Sequence, residues 1–168
     1  KLTHTSPSPT VTVSTPDLAG DVADFMRHFR IAYDGPPRLL PTDLHRFRVQ
    51  FAHEELEEYL DQTEEAVLRL RGNLDAPLHH EVKTSILASA LDALVDQVYV
   101  AIGTALYHGF DFNEAWKRVH AANMAKVRQD EYEAITGQKP KKVRNADDIV
   151  KPPGWVPPDH RDLVENHE

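Results

Sequence analysis

An apolar stretch in the middle of the chain constrains its fold more than any other feature. Residues 85–109 read SILASALDALVDQVYVAIGTALYHG, and a helix built from them carries apolar side chains on nearly every side. Such a helix is normally buried among other helices or spans a membrane. Asp92, Asp96 and Gln97 interrupt the stretch and argue against a membrane span. We therefore expect a central helix that is buried in a helical bundle.

The two aspartates of this stretch predict a bound cation. Asp92 and Asp96 are four residues apart, so a helix places them on one side, one turn above the other. Carboxylates are almost never fully buried unless they are paired or bound to a metal, because an ionised group is costly to desolvate. A buried helix with two stacked aspartates therefore needs a positive partner.

Composition excludes several classes of protein. The 168 residues suffice for one domain with a real core. The sequence has no cysteine, which excludes disulfides and thiolate metal sites and fits a reducing cytoplasm. The net charge of -8 argues against a general nucleic-acid binder. We expect neither a nucleic acid nor a membrane as partner.

Hydrophobic periodicity and turn residues predict an all-α fold. Residues 1–16 are rich in Ser, Thr and Pro and predict a flexible arm. Residues 17–136 predict one domain, a four-helix bundle. Its helices are expected at residues 17–33, 43–71, 78–107 and 112–135. Residues 137–168 are rich in Lys, Pro and Asp and predict an irregular tail.

Two details of the helices follow from the same patterns. Thr42 is expected to cap the second helix. The apolar stripe of that helix is expected to contain Ala52, Leu56, Tyr59, Thr63, Val67 and Leu70. On the fourth helix, Trp116 is expected to belong to the core. The second and third helices should form an antiparallel hairpin that turns near Asp75.

The hairpin brings acidic residues of both helices together. Glu58 lies as far before the expected turn as Asp92 lies after it, and Glu54 and Glu55 are correspondingly level with Asp96. Lys and Arg are absent within one turn of these five carboxylates, so divalent cations would have to offset their mutual repulsion. All-oxygen ligands favour hard ions, Mg²⁺ or Mn²⁺. The other reading of the acidic run is an ordinary solvated helix face.

These motifs resemble the MazG-like and phosphoribosyl-ATP pyrophosphohydrolase-like family of all-α NTP pyrophosphohydrolases. The family pattern is EExxE followed by a second acidic pair, and here Glu54, Glu55 and Glu58 match its first part. The second pair is Asp92 and Asp96, with Ala93 where the family has Glu, which leaves open whether Asp92 ligates directly or through water. Three further segments, DALVDQVYVAIGTA, VHAANMAK and KPPGWVPPD, resemble a phage and bacterial branch. The resemblance covers roughly residues 20–160.

The resemblance implies cleavage of a nucleoside triphosphate between its α and β phosphates, giving a monophosphate and pyrophosphate. Two or more Mg²⁺ or Mn²⁺ ions per site would be held by Glu54, Glu55, Glu58, Asp92 and Asp96. Among these, Glu54, Glu55 and Glu58 are the candidate catalytic residues, and Glu55 is the candidate for orienting the attacking water. The candidate nucleotide- and phosphate-binding residues are Tyr99, His120, Asn123, Lys126 and Lys151.

Several functions remain open from the sequence. The substrate could be any (d)NTP, and a narrower version is a phage enzyme that makes one deoxynucleoside monophosphate, for example from dGTP. A dUTP-specific or phosphoribosyl-ATP-specific enzyme would use the same carboxylates. The alternative from another class is a non-catalytic helical domain whose acidic face docks a basic partner. The large apolar surface of the third helix predicts a homodimer or homotetramer with active sites completed across subunits.

Overall fold

Two long antiparallel helices form the frame of the protein in the computed structural model, which describes residues 16–72, 78–140 and 148–165. The first is α2, Thr42–Leu70, and the second is α3, His80–Tyr107. A shorter helix, α1 (Leu18–His28), packs against α3. The predicted all-α class and the helical hairpin are therefore confirmed. The expected turn at Asp75 and the arm at residues 1–15 lie outside the described residues.

The buried core lies between α1 and the second half of α3. Its buried side chains are Ala19, Val22, Met26 and Ile102, with Tyr99, Leu106, Tyr107 and Phe112 packed around them. Side chains three and four residues apart on α1 face the same way, which explains why Ala19, Val22 and Met26 are buried together. The core therefore anchors α1 beside the acidic section of the hairpin.

The first helix ends five residues earlier than its periodicity predicts. Arg30 adopts a left-handed conformation, with φ of 59°. The Ile31 amide donates to the Met26 carbonyl at 2.9 Å, a bond across five residues that closes the helix end. Glycine usually takes such a position, and its absence here hid the helix end from the sequence.

The start of α2 and its inner face also differ from expectation. Thr42 is the first helical residue, and Pro41 precedes it without any side-chain cap, so the predicted Thr42 cap is wrong. Ala52, Leu56 and Val67 of the predicted apolar stripe are exposed. The side that faces α3 instead carries Arg48, Phe51, Glu55 and Tyr59. The predicted stripe is therefore wrong for Ala52, Leu56 and Val67, whereas Tyr59 and Thr63 are half-buried as expected.

The central helix is less buried in the single chain than predicted. On α3 the buried residues are Ala93, Val100, Ile102 and Gly103, whereas much of its apolar surface is exposed. By length and composition alone this helix could cross a membrane, a test that core helices of soluble proteins also pass. Its polar neighbour Arg48 on α2 hydrogen-bonds it directly.

The predicted fourth helix is interrupted. It begins as α4, Phe112–Met124, and is followed by strand β1 (Val127–Arg128) and helix α5 (Gln129–Thr136). Strand β2, Ile149–Val150, pairs antiparallel with β1, with Val127 opposite Val150. This long-range pairing overrides the local helical pattern. Trp116 is exposed and stacks on Phe112, so its expected place in the core is wrong.

The described part of the tail is held against α4 as a strap, by which we mean residues 148–165. Arg118 of α4 donates two hydrogen bonds to the Asp162 carboxylate, at 2.6 and 2.8 Å, and one to the Asp159 carbonyl at 2.8 Å. Trp155 donates its indole N–H to the Ala122 carbonyl at 2.7 Å. The strap ends with a 3₁₀ turn at Arg161–Leu163. No long helix follows α5 in the described residues, as predicted.

Candidate active site

Four carboxylates act electrostatically on a fifth at the middle of the hairpin. Burial, and then the negative charges of Asp96, Glu58, Glu54 and Asp92, raise the pKa of the Glu55 carboxyl above its usual 4.5. The Gln97 amide donates to the Glu55 carbonyl at 3.3 Å. This bond places Glu55 level with Gln97, one residue from Asp96, the residue that the sequence places at this level. The acidic residues of α2 and α3 therefore share one section of the hairpin.

The cluster has no positive partner within the described residues. None of its five carboxylates forms an ion pair there, and the Gln50 amide, 2.9 Å from Glu54, is the one side chain that donates to them. Unpaired like charges repel one another, so a bound cation would stabilise the cluster. Asp92 and Asp96 are exposed in the single chain, which corrects the expectation that both are buried.

The donor set fits a hard divalent cation in its chemistry. All donors are carboxylate oxygens, the ligands that Mg²⁺ and Mn²⁺ prefer. In the described residues no three Asp, Glu or His side chains already surround a common point at metal-binding distances. Four of the five acidic side chains are exposed and able to rotate, so a cation would have to draw them together.

A cavity of about 240 Å³ opens beside the acidic cluster, between α1, α2 and α3. Glu55 and Asp96 lie on its wall, and so does the predicted nucleotide-binding residue Tyr99. The Tyr99 ring meets the Phe25 ring edge to face, with centroids 5.6 Å apart. The rest of the wall is mostly apolar and consists of Val22, Phe25, Met26, Ile31, Phe51, Val100, Gly103 and Tyr107, together with Arg48.

Arg48 is a polar residue of this cavity that the sequence analysis missed. It is the one charged residue found buried in the described chain, with 8% of its surface exposed. Burial lowers the pKa of its guanidinium, which stays protonated because arginine does not deprotonate in proteins. The available signal was spacing. Arg48 lies seven residues before Glu55, so the two share one face of α2.

The predicted basic residues form a second group, away from the cavity. The ammonium groups of Lys126 and Lys151 lie over the Trp155 ring, 5.9 and 4.3 Å from its centroid. His120 and Asn123 are exposed on α4, three residues apart and therefore on neighbouring positions of one face. None of these four side chains lines the cavity that contains Glu55 and Asp96. One chain thus presents an acidic group and a basic group at separate places.

Comparison with known proteins identifies the family. No curated protein matches the sequence. The phosphoribosyl-ATP pyrophosphohydrolase family matches residues 22–123, from α1 to the end of α4. This match contains the acidic cluster, Arg48 and the cavity, and ends before Lys126 and the strap. The chain therefore belongs to the phosphoribosyl-ATP pyrophosphohydrolase family, within the MazG-like all-α NTP pyrophosphohydrolases, which are hydrolases that act on acid anhydrides.

Proposed function

We propose that the protein hydrolyses a nucleoside or deoxynucleoside triphosphate, such as dGTP or GTP, to the monophosphate and pyrophosphate. The observation that carries this proposal is the unpaired acidic cluster, in which four carboxylates raise the pKa of Glu55. Without cations, an acidic cluster of this kind would repel the negatively charged triphosphate. The triphosphate can therefore bind beside the cluster only when the two share bound cations. The family membership supports the general reaction.

We assign two or more Mg²⁺ or Mn²⁺ ions to Glu54, Glu55, Glu58 and Asp96, with Asp92 as a direct or water-mediated ligand. Enzymes of this superfamily are generally dependent on divalent metals. When bound, such ions polarise phosphate oxygens and lower the pKa of a coordinated water. In the proposal Glu55 orients the attacking water, since its half-buried carboxylate lies on the cavity wall.

Lys126 and Lys151 are proposed to bind the triphosphate of a neighbouring subunit. Their ammonium groups converge on the Trp155 ring, and neither has a carboxylate partner in the described chain. His120 and Asn123 would contact the sugar or the phosphates from α4. Because this basic group lies outside the cavity of its own chain, we propose that a second copy supplies it.

The second copy is proposed to cover α3. Leu87, Leu91, Val95 and Val98 are each about half exposed or more, and they recur at helical spacing along one face. Large exposed apolar patches mark interaction sites in soluble proteins. We propose a homodimer, or a homotetramer built from it, located in the cytoplasm.

Product analysis tests the reaction. The protein is incubated with Mg²⁺ or Mn²⁺ and each NTP and dNTP, and the products are separated by chromatography. Monophosphate and pyrophosphate in equal amounts are the expected result. The panel includes dUTP and phosphoribosyl-ATP, since the matched family is defined by the latter substrate. Turnover of phosphoribosyl-ATP alone would establish this second candidate function.

Substitutions test the site. Glu58→Ala and Asp96→Ala should each lower kcat/KM by about a hundredfold or more while the protein stays folded. Glu57→Ala is the matched control, because Glu57 is exposed and faces His53 at 3.5 Å. Full activity in the Glu58 and Asp96 variants would refute the assigned site. No turnover of any nucleotide by the wild type would leave the acidic face as a docking surface.

Mixing two inactive variants tests the shared site. Glu58→Ala lacks the acidic half and Lys151→Ala lacks part of the basic half, so a mixed dimer contains one intact site. After subunit exchange, the mixture should recover about a quarter of wild-type activity. No recovery, with exchange demonstrated by a tagged subunit, would place both halves in one chain.

A further inference from the structure

The cavity next to the acidic cluster has a second, cationic end that the hydrolytic reaction does not use. We propose that Arg48 determines base specificity there, by donating two hydrogen bonds to the adjacent acceptors O6 and N7 of a guanine base. This inference rests on the proposed function, since it names the base of the nucleotide that the acidic cluster hydrolyses.

The guanidinium is fixed in position before any ligand binds. Its Nε donates to the Thr104 hydroxyl at 3.1 Å, and one terminal nitrogen donates to the Val100 carbonyl at 2.7 Å. Gly103 permits this close approach, because a Cβ at that position would lie 3.1 Å from the same terminal nitrogen. These bonds use two of the five N–H groups of the side chain. The group is therefore held rigidly with donors to spare.

The remaining donors have no protein acceptor in the described chain. Glu55 and Asp96 line the same cavity, yet neither forms an ion pair with Arg48. Within the described chain, Nδ1 of His160 is the one fully buried side-chain nitrogen or oxygen without a hydrogen-bond partner. The unused terminal nitrogen of Arg48 is therefore not fully buried, and a ligand in the cavity that Arg48 lines can reach it. The remaining N–H groups of this half-satisfied guanidinium lack acceptors in the described chain, and a ligand with suitable acceptors would satisfy them.

The walls around the guanidinium favour a base over a phosphate. The Phe51 and Tyr107 rings lie 5.3 and 5.5 Å from the guanidinium carbon, and the wall continues with Phe25, Met26 and other apolar side chains. A planar heterocycle packs well on such a surface, whereas a phosphate would be desolvated against it. The acidic end of the cavity then receives the metal-bound phosphates of the same nucleotide.

The donor pattern favours guanine. Arginine pairs with guanine O6 and N7 through two parallel hydrogen bonds, whereas adenine presents an N–H donor next to its N7. Cytosine also has two adjacent acceptors, but its single ring fills less of a cavity of about 240 Å³. We therefore expect dGTP or GTP to be preferred over the adenine and cytosine nucleotides.

Substrate analogues test the proposal on the unaltered protein. The value of kcat/KM is measured for dGTP, 7-deaza-dGTP, dATP and dCTP. Loss of N7 in 7-deaza-dGTP should lower it about tenfold, and dATP should be about ten- to a hundredfold worse than dGTP. Equal values for dGTP and its deaza analogue, a preference for dCTP, or turnover confined to phosphoribosyl-ATP would each overturn the role of Arg48 while hydrolysis stands. Absence of hydrolysis with every substrate is the separate failure of the proposed function.

Substitutions of Arg48 test its role in base recognition. Arg48→Met should reduce the ratio of kcat/KM for dGTP over dATP by about tenfold or more, and Arg48→Lys should recover part of it. The ratio does not depend on the fraction of folded protein, and the analogue series decides if a variant fails to fold. Arg46→Met is the matched control, because Arg46 is exposed on the same helix. An equal loss for both substrates would show that Arg48 only braces the helices or contacts phosphate.

Discussion

At the scale of single residues, the ionised carboxylate of Glu55 destabilises the folded protein, because it is partly buried and repelled by its acidic neighbours. Its raised pKa means that the folded state holds the proton of this carboxyl more tightly than the unfolded state does. Without metal, the free energy of unfolding should therefore fall as the pH rises from about 4.5 through the raised pKa. Glu55→Gln should raise the Tm of the metal-free protein at pH 7 and have little effect at pH 4.

Thermal denaturation with and without Mg²⁺ measures this effect. Magnesium should raise the Tm of the wild type more than that of Glu55→Gln, because the substitution removes both a repelling charge and a ligand. Glu57→Gln, which changes an exposed carboxylate that faces His53, should leave both values unchanged. An unaltered or lower Tm for metal-free Glu55→Gln at pH 7 would contradict the argument.

The acidic cluster and Arg48 differ in how well the sequence predicts their positions. The common level of the acidic residues on α2 and α3 was predictable, because EExxE and the two aspartates lie about equally far from the expected turn of the hairpin. Its spacing places Arg48 on the face of α2 that carries Glu55, but its burial was not predictable, since a lone arginine on a long helix is usually solvated and the burial depends on Val100 and Thr104, more than 50 positions away. The burial of Arg48 is set by residues distant in sequence, and the periodicity of α2 carries no information about them.

At the scale of elements, the end of α1 contains a residue in an unfavourable conformation. Arg30 is left-handed and its side chain is exposed, so only the backbone conformation matters there. Arg30→Gly should increase the free energy of unfolding by about 0.5–1 kcal/mol, measured by chemical denaturation. Arg30→Ala is the control, because it removes the side chain but keeps the strain. A gain in the alanine variant as large as in the glycine variant would point to the side chain instead.

The strap is a second element with a testable attachment. Arg118 bonds to Asp162 and to the Asp159 carbonyl. Its bond to Asp162, followed by its bond to Glu114, raises the pKa of Arg118, and the bond to Arg118 lowers the pKa of Asp162. Arg118→Ala should speed hydrogen exchange and proteolysis within residues 148–165 and leave α2 and α3 protected. Arg161→Ala should change little, since Arg161 pairs with Asp159 inside the strap itself. Uniform protection in both variants would show that Trp155 and β2 suffice to hold the strap.

The same attachment has a defined pH dependence. Because Arg118 lowers the pKa of Asp162, the folded state favours its ionised form. The contribution of the Arg118–Asp162 pair to stability is therefore present above the ordinary pKa of 3.8 and is lost as the pH falls from there through the lowered pKa of Asp162.

Element boundaries were predictable where local signals set them. Gly137, with φ of 69°, ends α5 where the sequence suggested a boundary, and Tyr107 ends α3 as expected. The break after Met124 was not predictable, because it depends on the pairing of Val127 with Val150 across 23 positions. A strand of two residues has no period of its own to detect.

At the scale of the whole molecule, the exposed face of α3 predicts self-association. Light scattering should give twice the chain mass of 19.0 kDa, or four times for a dimer of dimers. Leu91→Glu, in the middle of that face, should yield a folded monomer with reduced activity. Leu39→Glu is the matched control, because Leu39 is 91% exposed in the connection between α1 and α2. A wild-type monomer would refute both the dimer and the shared site.

Trp155 gives the molecule an optical property that follows from its place in the strap. The sequence has two tryptophans, and Trp116 is exposed, so Trp116→Phe leaves a single indole fluorophore. That fluorophore is hydrogen-bonded to Ala122 and covered by two ammonium groups. Its emission should shift to longer wavelength when the strap detaches and should respond when an anion approaches the lysines. Nucleotide titrations can thus be followed by light, without labels, in solutions where turnover is stopped.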